Sequence, residues 1–356
     1  MAGEARFMER TLTLARRARP SPNPRVGAVL VKGGKVVGEG FHEYAGGPHA
    51  EIVALKKAGE KARGATLYLN LEPCSHYGRT PPCTQALIAA GVKRVVAAMK
   101  DPNPRVNGNG AKKLEAACIS VEFGLMEKEA RELNEKWIHY IIRKMPFVTL
   151  KAGMSFDGKI AAADGKSKWI TSEEARTRAR RMRSEYDAIL VGAGTVLADD
   201  PRLTALGGGD PVRVILDSGL SVPLGAKVFA DDNVIIATTA KGGKAKKAVL
   251  KRKGVRIWVF GGGSRVNLRA LLKKLAENGI TSVLVEGGSE VAGSFVSQRL
   301  VDKFMFFVAP KILGGKKAKG VVGGEGFSLA RAPALEFKRV ERVGPDLLVE
   351  AVPKAI

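Results

Sequence analysis

The residues best equipped for chemistry lie in two short stretches of the first quarter of the chain. Pro48-His49-Ala50-Glu51 is followed by Pro73-Cys74-Ser75-His76-Tyr77-Gly78-Arg79-Thr80-Pro81-Pro82-Cys83. A catalytic zinc ion commonly takes three protein ligands, imidazole and thiolate among them, and leaves a fourth position to water. His49, Cys74 and Cys83 supply that count. His49 and Cys83 both fall at predicted helix starts, where the positive end of the helix dipole favours a thiolate. Glu51, two residues after His49, enters the same site without having to ligate the metal.

Stepping outward, the elements that must hold these residues alternate between strand and helix. Strands over 26–31 and 35–37 flank Gly33-Gly34, a hairpin signal. A helix over 49–58 stops at Gly59, and a strand covers 66–71. The loop 72–79 leads to a helix near 82–90, with Pro at its start and Gly91 at its end. A strand over 92–99, a helix through Leu114, a strand over 119–123 and a polar helix over 127–143 follow. Pro146 marks a break, which predicts domains over 1–145 and 146–356. Thr171 and Glu174 form a capping box before an Arg-rich helix. Apolar strands recur at 147–152, 188–191, 212–216, 234–237, 255–260 and 282–285, with a helix at 268–277. Buried strands alternating with helices predict mostly parallel α/β sheets in both halves.

Composition narrows the class. Hydrophobic residues make up 45% and charged residues 26% of 356, as in an ordinary globular chain. No apolar run reaches membrane-spanning length. Arg6, Arg10, Arg16, Arg17 and Arg19 suggest a transit peptide, but Glu4, Glu9 and the spacing of Phe7, Met8, Leu12, Leu14 and Ala15 predict an amphipathic first helix instead, and a cytoplasmic protein. The net charge of +24 is spread along the chain without a basic arm, and aromatics are only 6%. A nucleic-acid deaminase wants a basic groove and stacking platforms, so nucleic acid is not the expected partner. A diffuse positive surface also attracts small anionic ligands. Cys118 stands alone in an Ala-rich helix and reads as a small buried hydrophobe.

A His-x-Glu motif, then Pro-Cys and a second Cys, is the arrangement of zinc deaminases. In that chemistry water activated by zinc attacks an amidine-like ring carbon, and the glutamate carries its proton to the ring and the departing ammonia. A structural zinc site, with His76 as fourth ligand, leaves Glu51 without a task. Cytidine deaminases space their cysteines Cys-x-x-Cys, whereas eight residues separate Cys74 from Cys83 here. That insertion, with Pro22-Asn23-Pro24, Leu71-Glu72-Pro73-Cys74-Ser75-His76 and Asp101-Pro102-Asn103-Pro104, resembles the deaminases of riboflavin biosynthesis. The resemblance implies a cytidine-deaminase-like α/β/α domain in which Asn23, His76 and Arg79 contact a phosphorylated pyrimidine. Read alone, Asn23 is as easily a turn former, and His76 and Arg79 solvated loop residues.

The second half is less explicit. Val191-Gly192-Ala193-Gly194-Thr195 follows a buried strand but lacks the third glycine of the dinucleotide fingerprint. Val285-Glu286-Gly287-Gly288-Ser289 ends a strand and opens a helix, which suits phosphate binding by backbone N–H groups, although such loops are often plain turns. Arg176, Arg180 and Arg183 share a helix face, by default a solvated one. Lys151 through Lys159, Trp169-Ile170-Thr171-Ser172, the run 194–201 and Glu286-Gly287-Gly288 resemble the reductase half of the bifunctional riboflavin-biosynthesis family. That resemblance implies a dihydrofolate-reductase-like α/β domain that uses NADPH, and a homo-oligomer, a dimer or tetramer. It places Gly153, Trp169, Thr195, Asp199 and the stretch 288–294, with Gly288, Ser289 and Ser294, against the cofactor. It places Ser167, Arg183, Leu203 and Glu286 on the ribose phosphate, and Lys151 at the reacting ribose carbon. The family usually carries Arg where this chain has Leu206, and Arg202 and Arg213 are the candidates to compensate. The alternative is a deaminase whose C-terminal half is not catalytic.

Overall fold

The computed structural model describes residues 2–77, 81–104, 106–261 and 263–354. The chain divides into two compact units, Met1–Lys144 and Met145–Ile356. The first runs α1 (Ala2–Arg17), β1 (Gly27–Lys32), β2 (Lys35–Phe41), α2 (Ala50–Ala58), β3 (Thr66–Leu69), α3 (Cys83–Ala89), β4 (Arg94–Ala97), α4 (Asn109–Ala116), β5 (Ser120–Phe123), α5 (Glu127–Leu133) and α6 (Glu135–Arg143).

The expected first helix forms because Phe7, Met8, Leu12, Leu14 and Ala15 fall on one face and are all buried. It lies so close to β1 that a Cβ on Gly27 would overlap the Thr11 carbonyl oxygen. Gly33 and Gly34 turn the β1–β2 hairpin with φ of 56° and 72°, the left-handed pair that a tight two-residue turn needs. The sheet order is β2-β1-β3-β4-β5. Only β3–β4 and β4–β5 are parallel, while β1 pairs antiparallel with β2 and β3. The sheet is therefore mixed rather than mostly parallel, because a tight hairpin can join only antiparallel strands. One face packs Ala28, Leu30, Leu67, Leu69 and Val95 against Ala50 and Ala54 of α2 and Leu87 of α3. The other packs Val29, Tyr68 and Val96 against Met8 and Leu12 of α1 and Trp137 of α6, giving α/β/α layers.

Two local expectations fail for identifiable reasons. The helix expected over 127–143 breaks at Asn134, whose Oδ1 accepts from Arg25 N at 2.9 Å while Nδ2 donates to Arg25 O at 3.0 Å. Cys118 is not buried in a helix: it is exposed, with φ of 61°, past the end of α4.

One buried carboxylate ties the loops beside the two motifs together. Glu72 Oε1 accepts from Gly110 N (2.9 Å) and Ala111 N (3.2 Å), and Oε2 from Asp101 N (3.1 Å) and Gly108 N (2.9 Å). Its own N–H bonds to Met99 O at 3.0 Å. Gly110 is required there, since a Cβ would strike the Pro73 carbonyl next to Cys74.

The second unit runs β6 (Phe147–Ser155), β7 (Lys159–Ala161), α7 (Glu173–Met182), β8 (Ala188–Gly192), α8 (Ala193–Asp199), β9 (Val212–Leu216), β10 (Val234–Thr238), α9 (Lys244–Arg252), β11 (Arg256–Val259), α10 (Leu268–Glu277), β12 (Ser282–Val285), α11 (Ser289–Ser297), β13 (Lys303–Ala309), β14 (Lys319–Gly320), β15 (Leu335–Val343) and β16 (Asp346–Pro353). Nine strands form one sheet, β11-β10-β9-β8-β12-β6-β13-β16-β15, parallel from β11 to β13 and antiparallel at β16 and β15. β7 and β14 make a separate pair. Asp187 stitches the sheet's start: its Oδ2 accepts from Thr281 N (2.7 Å) and Ser282 N (3.1 Å) at the entry to β12. The N-cap of α7 is Ser172, one residue beyond the expected Thr171, and its hydroxyl accepts from Ala175 N at 3.2 Å.

Replacing Glu72 with Ala strands four buried N–H donors. Glu72→Ala is expected to cost about 3 kcal/mol in urea unfolding of the first unit, and to lower metal retention on dialysis. Wild-type stability in that variant would show the staple to be dispensable.

Candidate active sites

The chain brings its three metal-ligating side chains together from separate elements. His49 is the N-cap of α2 and Cys83 the first residue of α3, while Cys74 comes from the loop after β3. Their ligand atoms all lie within 4.8 Å of one another. His49 Nδ1 is 3.2 Å from Cys83 Sγ and 3.6 Å from Cys74 Sγ, and Cys83 N–H donates to Cys74 Sγ at 3.3 Å. Donors from Cys83 and His49 pull the Cys74 thiol far below its ordinary value. The negative charge they leave on Cys74, together with burial, pushes the Cys83 thiol up. The bond to Cys74 raises His49. Two soft sulfurs and one imidazole nitrogen within coordinating reach fit a zinc ion.

Glu51, in the first turn of α2, is buried, and burial followed by the Cys74 charge raises its carboxyl above the ordinary range. It lines a cavity of about 410 Å³ together with His49 and Cys74. Asn23 and His76 line the same cavity; Arg79 lies outside the described residues. Further lining comes from His42, Asp101, Asn103, Trp137 and Tyr140. His42 Nδ1 is 3.0 Å from the Pro48 carbonyl and its Nε2 3.0 Å from Asn23 Nδ2. A neutral ring serves both, donating to the carbonyl and accepting from the amide; burial lowers its pKa accordingly. Its ring stands edge-on to His49 at 5.1 Å between centroids. Asp101 is pushed up to about 7 by burial, with Glu72 and Cys74 adding to it. Of these five only Asp101 and Asn103 belong to a motif singled out in the sequence, and neither was assigned a role there. Trp137 and Tyr140 reach the cavity from α6, and only helical periodicity marked them.

In the second unit a cavity of about 480 Å³ opens at the carboxyl ends of β6, β8 and β12. Lys151, Gly153, Ser167, Thr195, Asp199, Glu286, Gly288 and Ser289 all line it. Glu286 is buried, with Lys151 Nζ 3.6 Å from Oε2. Arg183 donates from Nε to Oε1 at 2.9 Å and from Nη2 to Oε2 at 2.8 Å. Burial works against the charge, but Lys151 and Arg183 hold the Glu286 carboxyl down at about 2. Ser167 Oγ donates to Asp199 Oδ1 at 3.2 Å.

The remaining expected residues sit elsewhere. Arg183 lies behind Glu286, with Nη1 on Thr204 O at 2.9 Å. Trp169 is 63% exposed and stacks on Arg176, 4.3 Å from guanidinium to ring centroid, so the α7 arginines do not form one plain solvated face. The Leu203 side chain is buried in the core with Ile189, Val191 and Ile215. Ser294 turns its hydroxyl to Glu290 O at 2.8 Å, one helical turn from the cavity. Leu206 N bonds to Arg180 O at 3.1 Å. Arg213 cannot stand in for an arginine at that position: it is 2% exposed, paired to Asp231 and held toward Asn233 O. Arg202 is exposed.

The cavity fits a nicotinamide dinucleotide. A Cβ on Gly287 would press on Thr195 and Val191 at 3.1 Å, and Gly288 has φ of 61°, so the β12–α11 turn demands glycine. No side chain caps α11, which leaves its first amides to an anion.

The comparisons with known proteins cover both units. The family model "Cytidine and deoxycytidylate deaminase zinc-binding region" matches residues 1–99, and "RibD C-terminal domain" matches 146–349. The riboflavin biosynthesis protein RibD of Aquifex aeolicus is 47% identical over 350 residues, 96% of each chain. That of Escherichia coli is 41% identical over 365 residues, 97% of this chain and 98% of the relative. The solved RibD of Acinetobacter baumannii, form 1, superposes with a TM-score of 0.91 at 36% identity, covering 99% of both chains. The diaminohydroxyphosphoribosylaminopyrimidine deaminase/5-amino-6-(5-phosphoribosylamino)uracil reductase of Thermotoga maritima superposes with a TM-score of 0.87 at 40% identity, again over 99% of both. With a cytidine-deaminase-like unit and a reductase unit of that type, and with identity sustained over almost its full length, the chain belongs to the RibD family of riboflavin biosynthesis proteins.

Proposed function

We propose that this chain carries out two consecutive steps of riboflavin biosynthesis: deamination of a diaminopyrimidinone bearing a ribosylamino 5′-phosphate, then reduction of its ribosyl chain to ribityl with NADPH. The observation that carries the reading is the buried Glu51, which lines one cavity with His49 and Cys74 beside the cluster that Cys83 completes. A structural zinc site has no use for a carboxylate there.

His49, Cys74 and Cys83 would hold the zinc ion. When bound, zinc supplies a Lewis acid that makes water nucleophilic near neutral pH. Glu51 takes a proton from the attacking water and passes it to the ring nitrogen; the second water proton leaves by the same carboxylate with the 2-amino group as ammonia. A carboxyl raised by burial suits that exchange, since it holds a proton more readily than an exposed carboxylate. Asn23, held through its amide nitrogen by His42, offers its oxygen to the pyrimidine, and His76 meets the ring or its phosphate; Arg79, the remaining residue assigned to the substrate, lies outside the described residues.

In the second unit Gly153, Thr195, Asp199, Gly288 and Ser289 would hold NADPH, with Trp169 and Ser294 at the margins. When bound, NADPH supplies the hydride that reduces the ribose carbon. Lys151, ion-paired with Glu286, gives its proton to the ribose ring oxygen as the ring opens. Ser167 faces the ribose phosphate and Leu203, its side chain in the core, offers only its backbone there, while Glu286 acts by orienting Lys151 and Arg183. A non-catalytic second unit would have no reason to bury Glu286 between two cations at the floor of a cavity.

No helix among the described residues is long and apolar enough to cross a membrane, and a cytoplasmic location suits a path through small phosphorylated metabolites. Phe337 and Val340, exposed on the edge strand β15, suit self-association as a dimer or tetramer.

One assay tests the whole: the phosphorylated diaminopyrimidine is supplied with NADPH while ammonia and NADPH are followed together. Both are expected, ammonia first; ammonia without NADPH oxidation would reduce the protein to a deaminase. Glu51→Gln is expected to retain zinc by metal analysis and to lose at least about 10²-fold in ammonia release. Full activity in that variant would overturn the proton shuttle. Lys151→Ala is expected to abolish NADPH oxidation while ammonia release continues, and joint loss of both would mark a folding defect instead.

A further inference from the structure

Among the described residues that line the reductase cavity, one cation has no carboxylate partner. Its titratable lining is Lys151, Asp199, Glu286, Glu290 and Lys319. Lys151 is engaged by Glu286, and Glu290 lies 3.9 Å from Arg265. Two neighbouring lysines are turned to carbonyls, Lys168 to Asp199 O at 3.3 Å and Lys311 to Trp169 O at 3.0 Å. Among the described residues no carboxylate pairs with Lys319. A dinucleotide brings several negative charges into a lining with two lysines against three carboxylates. Backbone amides and this lysine are what remain to meet them.

Lys319 is also fixed in place relative to the anion-binding end of α11. It sits on β14, paired to Ala161 of β7. Ser289, the first residue of α11, donates its hydroxyl to Gly320 O at 2.6 Å and accepts from Gly323 N through its own carbonyl at 3.0 Å. A Cβ on Gly293 of α11 would overlap the Gly323 carbonyl, so the segment after β14 lies flush along the helix. Lys319 is thereby anchored one residue from the tie to the first turn of α11, with a flexible stem and a compact charge.

We propose that Lys319 is a cofactor-binding residue that closes over the NADPH pyrophosphate seated on the Gly287-Gly288-Ser289 turn. The proposal rests on NADPH being the cofactor of the second unit. Ser289 then has two tasks, its amide toward the phosphate and its hydroxyl toward the strand that carries Lys319. The same chemistry could address the 5′-phosphate of the substrate, but the ties run to α11 and not to the elements around Lys151.

The test is direct binding to the full-length protein. NADPH affinity is measured by fluorescence titration for wild type, Lys319→Gln and Lys319→Arg, and the KM for the phosphorylated substrate is measured at saturating NADPH. Lys319→Gln is expected to raise the NADPH Kd about tenfold, the size of one charge-assisted hydrogen bond, with the substrate KM unmoved and Lys319→Arg close to wild type. An unchanged NADPH Kd in Lys319→Gln overturns the proposal. So does a raised substrate KM at constant NADPH Kd, which would assign Lys319 to the substrate phosphate. Wild-type protein that binds no NADPH would overturn the cofactor reading itself, a result separable from either.

Discussion

A carboxylate buried beside two thiols is electrostatically untenable unless a cation joins them, and the first unit is organised around that constraint. Burial and the Cys74 charge both act against ionised Glu51, and His49 alone is too little to offset them. The fold answers by converging three ligands from three elements, two of them at helix starts where the partial positive charge is greatest. The convergence has to be held before the ion arrives. Glu72 does that from the side, since four backbone N–H groups neutralise its charge without adding a competing cation. It fixes the loop after β3 against the start of α4, and with it the position of Cys74.

The second unit solves the same problem in the opposite way. The Glu286 side chain is also withdrawn from solvent, but two side-chain cations hold it ionised. Its folded pKa lies below the unfolded value, so the stabilisation is complete above about 4.5 and is lost only as pH falls toward 2. Lys151 therefore faces a permanent negative charge at any pH where the enzyme works. Arg183 spends three donors on Glu286 and Thr204, so it serves a phosphate only with what is left. That shifts phosphate recognition toward backbone amides and the lysines at the cavity rim.

How much of this was legible in the sequence follows from how local each requirement is. The convergent His49, Cys74 and Cys83 and the buried Glu51 beside them are written into two short motifs, because a helix start places i and i+2 on one site. The floor of the second cavity was legible through the glycines after β12. What sequence could not give came from distant partners. Asn134 breaks a periodic helix because its amide is matched to the Arg25 backbone, 109 residues away in the chain. His42 carries no motif, yet it orients Asn23. Arg213 reads as an available cation and is locked at the far end of its strand by Asp231. Strand β15 escaped for another reason. The run LEFKRVERV mixes charge with apolar residues at a sheet edge that nothing covers, so it lacks the clean alternation of a half-buried strand.

The position of the second cavity is a consequence of strand order. β12 inserts between β8 and β6, although it follows β11 in sequence, so the chain leaves the sheet in different directions from adjacent strands. A crevice opens where those departures diverge, and β6, β8 and β12 each deliver a glycine to it: Gly153, Gly192 and, just past β12, Gly287. This also separates two roles of charge that the composition alone runs together. The chain carries +24 overall, yet three carboxylates and two lysines line the crevice. The excess positive charge is therefore a long-range attraction for anions, falling off within roughly 10 Å at 0.1 M salt. Selection among those anions falls to the crevice itself, whose lining is rich in glycine and carries only two lysines.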